Sequence, residues 1–378
     1  MSGVMKLAPP FNTVHSSPVK ATNTVTPGRR FARSLGCVAT LLFLGHLTAS
    51  AQSTRHYVFF EFDRHRIREP SFLEHPILGG AQLKYSWREL EPREGEYDFS
   101  DIASDLQFLE SHGKRLFVQL QDVSFVPTIV NVPDYLREDP RYGGGADMTY
   151  YSTTDDGENL APEGWVARRW DPEVRERFGL LLQELGREFD GRIEGINFPE
   201  SSIGFGALHK IPGGFTAGGY RDALLDIMSL AGAAFSSSSV IQYANFMPGE
   251  SLPDDDRGYL RSVYRHADTV GVGIGGPDLL PYRWYQRMHS LPLIRDRADG
   301  VVAGVAVQFG NYGDRHRRTG QRITVPELHA YARDELHVDY LFWSTEEPFY
   351  TRDVLPYLRE LDPSSSPKNR SRAATRRR

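Results

Sequence analysis

Eight short apolar runs recur along the chain, at Tyr57–Asp63, Ala81–Trp87, Arg115–Asp122, Arg192–Glu200, Ser239–Phe246, Thr269–Ile274, Val301–Gln308 and Val338–Trp343. Most close on a polar or aromatic residue. They are rich in Val, Ile, Phe and Tyr and mostly six to nine residues long, as expected of strands buried on both faces. Most segments between them carry helical periodicity. The pattern predicts an α/β protein, a single (β/α)8 barrel running from about His56 to Asp362. In that architecture chemistry stands at the carboxyl ends of the strands, so eight strand ends become the places to search.

The helical segments carry start signals. Ser100 reads as the cap of a helix with Ile102, Leu106 and Leu109 as its buried stripe, and Gly113 ends it. Asp171-Pro172 reads as cap and first turn of another, with Val174, Phe178, Leu181, Leu182 and Leu185 on its apolar face. Further helices are predicted at Thr216–Phe235, Pro253–His266, Pro281–His289, Val325–Leu336 and Arg352–Leu361. Val123 to Arg169 is the longest irregular segment. Its place above a strand end marks it as a lid or a wall of a site. Gly273-Ile274-Gly275-Gly276 is no phosphate loop, because Pro277 and Asp278 follow where a helix start with free amides would be needed.

Both ends differ from the middle. The first 55 residues hold no Asp or Glu; Arg29, Arg30 and Arg33 precede an apolar stretch from Leu35 to Leu47, and Ala49-Ser50-Ala51 offers a small-residue cleavage site. Residues 1–51 therefore read as a signal peptide with an extended leader, too short in its apolar part to span a membrane. This predicts a secreted or periplasmic protein with no stable membrane insertion after cleavage. Cys37 is the only cysteine and falls in the leader, so the processed chain would carry no disulfide, thiol nucleophile or cysteine metal site. Residues 363–378 are rich in Ser, Pro and Arg and read as a disordered basic tail. The two ends hold twelve of the 44 basic residues and none of the 49 acids, which leaves 32 basic residues and a net charge of −17 between them. Such a surface argues against nucleic acid as a partner and sets no penalty on a neutral ligand such as a sugar.

The stretch around Trp87 carries a resemblance. A strand ending in Trp87, then Leu90-Glu91-Pro92, then Gly95-Glu96-Tyr97-Asp98-Phe99-Ser100 and a helix, resembles the clan A glycoside hydrolases. These are retaining (β/α)8 enzymes of the cellulase, xylanase and β-galactosidase type. Pro133-Asp134-Tyr135-Leu136 is similar to their Pro-x-Trp-Leu segment, and Trp170-Asp171-Pro172-Glu173-Val174-Arg175 to the entry of their third helix. The resemblance spans Ala81 to Glu200, and beyond it rests on strand count.

In that clan the fourth strand ends in an Asn-Glu pair whose Glu is the general acid/base. Here Asn197 and Glu200 are separated by two residues instead of adjacent. The resemblance implies Glu200 as proton donor, with Asn197 and Trp87 positioning substrate. The clan nucleophile, a Glu at the end of the seventh strand, is replaced by Gln308, and an amide cannot form the glycosyl ester of a double displacement. Glu346, Asp122 and Asp278 are the leading stand-ins, with Glu61, Asp63 and Glu347 also at strand ends. Trp87, Tyr243, Phe246, Trp170 and Trp343 offer faces for sugar stacking, and Trp343 resembles the Trp that ends the clan's eighth strand. Gln119, Gln121, Asn197, Asn245, Gln308 and Asn311 can bond hydroxyls. No cofactor and no metal cluster is implied. Two readings stand: a secreted glycoside hydrolase acting on an oligo- or polysaccharide, or a non-catalytic carbohydrate-binding barrel, which Gln308 supports. Another barrel chemistry stays open, because fold does not fix function.

Overall fold

The computed structural model describes residues 54–61, 63–154, 159–206 and 210–365. The leader with Cys37 and the tail beyond Ser365 lie outside the described residues. Among the described residues no helix is long and apolar enough to cross a membrane.

In chain order the strands are β1 (Arg55–Phe59), β2 (Leu78–Ser86), β3 (Arg115–Gln121), β4 (Val123–Ser124), β5 (Ala146–Ser152), β6 (Leu160–Ala167), β7 (Gly195–Phe198), β8 (Ser239–Tyr243), β9 (Gly273–Gly276), β10 (Ala303–Val307) and β11 (Tyr340–Ser344). Eight of them close a barrel in the order β1-β11-β10-β9-β8-β7-β3-β2, every pairing parallel. All eight apolar runs thus contribute a barrel strand, and the outer helices lie between them. The helix at Pro172–Phe189 starts as expected, with Asp171 Oδ1 accepting from the Glu173 and Val174 amides. At Ser100–Ser111 the acceptor is Asp98 rather than Ser100. The helix expected at Pro253–His266 instead spans Tyr259–Val270, because Glu250 reaches forward to accept from the Tyr259 and Leu260 amides.

Val123–Arg169 is less irregular than its sequence suggests. It folds into an antiparallel three-stranded sheet in the order β4-β6-β5, with a short helix at Asp134–Glu138. Trp170 packs edge-on against Phe205 and Phe215 beside this sheet.

Side-chain alternation decides what faces the barrel axis. Tyr57, Phe59, Phe117, Ile241, Tyr243, Ala306, Tyr340 and Phe342 form a cluster of their own inside the barrel, separate from the larger core between strands and helices. At its base the rings of Tyr57, Phe117, Tyr340 and Phe342 meet at centroid distances of 5.1–6.0 Å. Glycines make the room: a Cβ on Gly195 would lie 2.5 Å from the Phe117 ring, and one on Gly304 would lie 2.8 Å from Ile241. The amino-terminal end of the barrel is thereby plugged with aromatic rings. The same inward register continues upward into polar residues, Gln82, Lys84, Gln119, Gln121, Asn197 and Ser344.

Candidate active site

Glu200 follows β7 by one residue beyond Pro199, and its segment is pinned from β8. The Ser201 amide donates to the Tyr243 carbonyl at 3.0 Å, Ser201 Oγ to the Phe246 carbonyl at 2.7 Å, and the Gln242 amide to the Pro199 carbonyl at 2.9 Å. Asn245 Nδ2 donates to Glu200 Oε2, and Asn245 Oδ1 in turn accepts from the Phe246 amide. Glu200 is enclosed by protein yet still partly reached by solvent, which is the condition of a group at the bottom of a concavity. That enclosure pushes its carboxyl up to about 8; the negative charge of Asp278 adds to the rise, the Asn245 amide opposes it, and Glu163 contributes in the same direction as Asp278.

Asp278 follows β9 and is buried. Gln308 Nε2 and Asn311 Nδ2 both donate to its Oδ1, at 2.8 and 2.7 Å. Burial raises its carboxyl, and the two amides hold the rise back by favouring the charged form. Gln308, where the resemblance places a nucleophile, is therefore a residue that grips a neighbouring carboxylate. Glu346, beyond β11, is half-buried and accepts from the Gly310 amide at 2.8 Å, with its carboxyl raised chiefly by burial. Glu61, just past β1, has a left-handed backbone (φ 45°) and pairs with Lys84 at 3.5 Å. A bulky residue in that region carries strain, and such strain collects at functional sites.

The structure brings Glu200, Asp278, Glu346, Gln121, Asn197, Asn245 and Gln308 to the carboxyl-end mouth. Tyr243 lies beneath them, its hydroxyl accepting from Gln82 Nε2 at 3.0 Å. It sets three expected residues apart. Trp87 and Trp343 are both 0% exposed and point out of the barrel into the helix layer. Trp87 Nε1 donates to Glu91 Oε2 at 2.8 Å, while Glu91 also takes the Gly95 amide and Arg177. The Trp-Leu-Glu-Pro motif is therefore a clamp that fixes the second crossover. Trp343 Nε1 donates to His56 Nδ1 at 3.2 Å. Asp122 spends both oxygens on Arg169, each at 2.6 Å, in a fully buried pair that Tyr220 joins.

Sequence reasoning missed Glu163, Gln82 and Lys84. Glu163 comes from β6 of the inserted sheet, where burial raises its carboxyl and its charge acts on Glu200. Gln82 and Lys84 carried a legible signal, since polar residues at 82, 84 and 86 alternate with buried Leu83 and Tyr85. Two surface clefts of about 310 and 360 Å³ lie on the outer helices, lined by residues such as Tyr97 and Glu184 or Arg175 and Asp226. Neither touches a mouth carboxylate, and the convergence of acids and amides makes the mouth the better candidate.

Neither a family model nor a curated protein matches the chain. Among solved structures it is similar to the catalytic domain of a β-amylase from Paenibacillus polymyxa, at 8% identity and a TM-score of 0.50 over 77% of this chain and 92% of that one. It is also similar to a family 39 glycoside hydrolase from the gut symbiont Bacteroides cellulosilyticus WH2, at 11% identity and a TM-score of 0.45 over 78% of this chain and 56% of that one. A β-galactosidase from the Antarctic haloarchaeon Halorubrum lacusprofundi matches at 11% identity and a TM-score of 0.46 over 77% of this chain and 52% of that one. The chain thus spans about half the length of these last two proteins. At such identities the likeness is one of fold alone: the chain is a closed (β/α)8 barrel similar in architecture to that β-amylase domain.

Proposed function

We propose that the protein is a glycoside hydrolase in which Glu200 donates the proton to the leaving oxygen and Asp278 is the second carboxylate. The observation that carries this reading is a pair of buried mouth carboxylates that differ in their amide donors, one on Glu200 and two on Asp278. Glu200 is desolvated and faces a negative neighbour, so it stays protonated at neutral pH. Asp278 is desolvated as well, but receives two amide donors that suit its ionised form. Both carboxyls are raised by burial, and the extra amide donor on Asp278 is what fits it to the ionised role and Glu200 to the acid role. Asp278 then stabilises positive charge at the sugar carbon and either attacks that carbon or deprotonates a water that does, as the separation of the two carboxyls dictates. Asn245 and Gln308 orient Glu200 and Asp278 and exclude other rotamers.

The leader supports action outside the cytoplasm on an oligo- or polysaccharide, and terminal sequencing of exported protein tests it: a new terminus near Gln52 is expected, and retention of Met1 on exported chains refutes it. The enzymatic reading is tested with a panel of aryl glycosides. Wild type should release phenol from at least one, and both Glu200→Gln and Asp278→Asn should lose about 100-fold or more. The alternative, a binding barrel without catalysis, is favoured by Gln308 in place of a nucleophile. It prevails when sugars bind and no member of the panel is cleaved.

A further inference from the structure

The loop that carries Gln308 and Asn311 to Asp278 continues into a hairpin that the proposed chemistry does not use. Residues 315–322 read Arg-His-Arg-Arg-Thr-Gly-Gln-Arg, four arginines in eight residues with no acid, in a chain whose middle carries a net charge of −17. Arg315 pairs antiparallel with Arg322, the His316 amide donates to the Gln321 carbonyl at 2.9 Å, and the Gly320 amide donates to the His316 carbonyl at 2.8 Å. Gly320 supplies the left-handed residue of the turn, at φ 68°. At the base the Ile323 amide donates to the Asp314 carbonyl at 2.8 Å, and Asp314 Oδ2 accepts from the Tyr282 amide at 3.2 Å. The His316 ring also meets the Tyr282 ring edge-on at 4.8 Å. The hairpin is therefore fixed against the segment that follows Asp278.

Its guanidinium groups have no acid to face. Arg315, Arg317, Arg318 and Arg322 are all exposed. Nearby arginines are matched with acids, Arg283 with Asp314 and Arg333 with Asp334, yet none of these four makes an ion pair among the described residues. Arg322 lies over the Phe349 ring at 4.8 Å, and Arg315 donates to the Gly320 carbonyl at 2.9 Å. Four crowded like charges repel one another, and an oxyanion gripped between two guanidinium forks would relieve that repulsion. Exposed aromatic rings stand in the same sector. Phe309, which follows Gln308, is 48% exposed, and Trp284, on the segment after Asp278, is 47% exposed. Arg315 stands four residues beyond Asn311, so their Cα atoms lie within roughly 14 Å of each other. Rings that take sugar C–H faces, beside forks that take charged groups, suit a sugar chain that bears oxyanions.

We infer that the 315–322 hairpin binds the acidic units of an anionic polysaccharide, a uronate or sulfated chain, and holds them at the rim outside the acid-lined mouth. This rests on the glycosidase reading for the glycan, though not for the anion.

The test is isothermal titration of the full protein at near-physiological salt, where screening beyond about 8 Å leaves chiefly local contacts. The probes are two matched pairs, polygalacturonate with its methyl ester and dextran sulfate with dextran, together with duplex DNA. Wild type is compared with Arg317→Ser/Arg318→Ser and with a control, Arg192→Ser/Arg265→Ser, which removes the same charge from exposed sites outside the hairpin. All four side chains are exposed, so both variants should melt with wild type. At least one charged polymer should bind wild type about tenfold or more tighter than its neutral partner. The hairpin variant should lose about tenfold, and the control about twofold at most. Preference within the first pair assigns a uronate, and within the second a sulfate ester. Equal binding of charged and neutral polymers, or equal losses in the two variants, would overturn the inference. DNA bound as tightly as either polyanion would overturn it too, in favour of a nucleic-acid surface. Binding that depends on charge and hairpin without cleavage of any aryl glycoside would uphold the inference and sink the hydrolase reading. Cleavage by a wild type that shows no preference for charge would do the reverse.

Discussion

His56 gives a stability prediction whose size can be worked out. Its ring lies behind β1, 4.8 Å edge-on from His329 and stacked near Trp343, and it is 5% exposed. Its Nδ1 accepts the Trp343 indole proton, so a second ring proton would set N–H against N–H. Burial first, then the neighbouring His329 and His75, pushes its pKa down from 6.5 to about 3. Below pH 6.5 the unfolded chain therefore binds a proton that the folded protein refuses. Stability from this site is complete above that pH and is lost as pH falls toward 3. At 1.36 kcal/mol per pH unit, going from pH 8 to pH 5 costs about 2 kcal/mol at this residue alone. The perturbation is His56→Asn, which keeps an oxygen to accept from Trp343 and cannot titrate. Urea unfolding of both proteins at several pH values between 5 and 8 gives the difference curve. The variant should lose about 2 kcal/mol less than wild type across that interval. Parallel curves would refute the reasoning, because they would show that His56 is already protonated in the folded protein or that its unfolded reference is wrong.

Asp122→Asn strips Arg169 of its buried counter-charge and should cost about 3–5 kcal/mol in urea unfolding; a loss under 1 kcal/mol would show that Arg169 finds water or another acceptor. Gly195→Ala forces a methyl to within 2.5 Å of the Phe117 ring and should cost about 1–3 kcal/mol, read as a lowered melting temperature. Because Glu200 acts protonated and its carboxyl lies at about 8, kcat/KM should fall tenfold per pH unit above pH 8. Removing the Asn245 donor by Asn245→Ala withdraws support for the ionised form, so that alkaline limb should move to higher pH; a shift to lower pH contradicts the assigned bond.

The barrel was legible because parallel strands are buried on both faces and leave short apolar runs, as in Ala303–Val307. Which way a strand-end residue points was harder, since one step along a strand reverses it. Trp343 follows inward-facing Phe342 and so lies outside, although its chemistry suited the mouth. Asp122 could not be told from a catalyst, because Arg169, its partner, lies 47 positions away along a segment whose fold was hidden. That segment was hidden for a physical reason. Its β5 and β6 pair with a register shift at Thr149/Tyr150 and include Pro162, which blurs the alternation of a strand. Asp278 was legible as a strand-end acid, but its choice over Glu346 rests on the two amides from Gln308 and Asn311.

The most direct test of Glu200 as proton donor is the leaving-group dependence of Glu200→Gln on aryl glycosides that wild type cleaves. A general acid matters when the leaving oxygen is basic and hardly at all when it departs unaided. The account predicts that the variant loses about 100- to 10,000-fold in kcat/KM on a phenyl glycoside and little on the dinitrophenyl glycoside of the same sugar. Equal losses on both, or no loss on either, would contradict it.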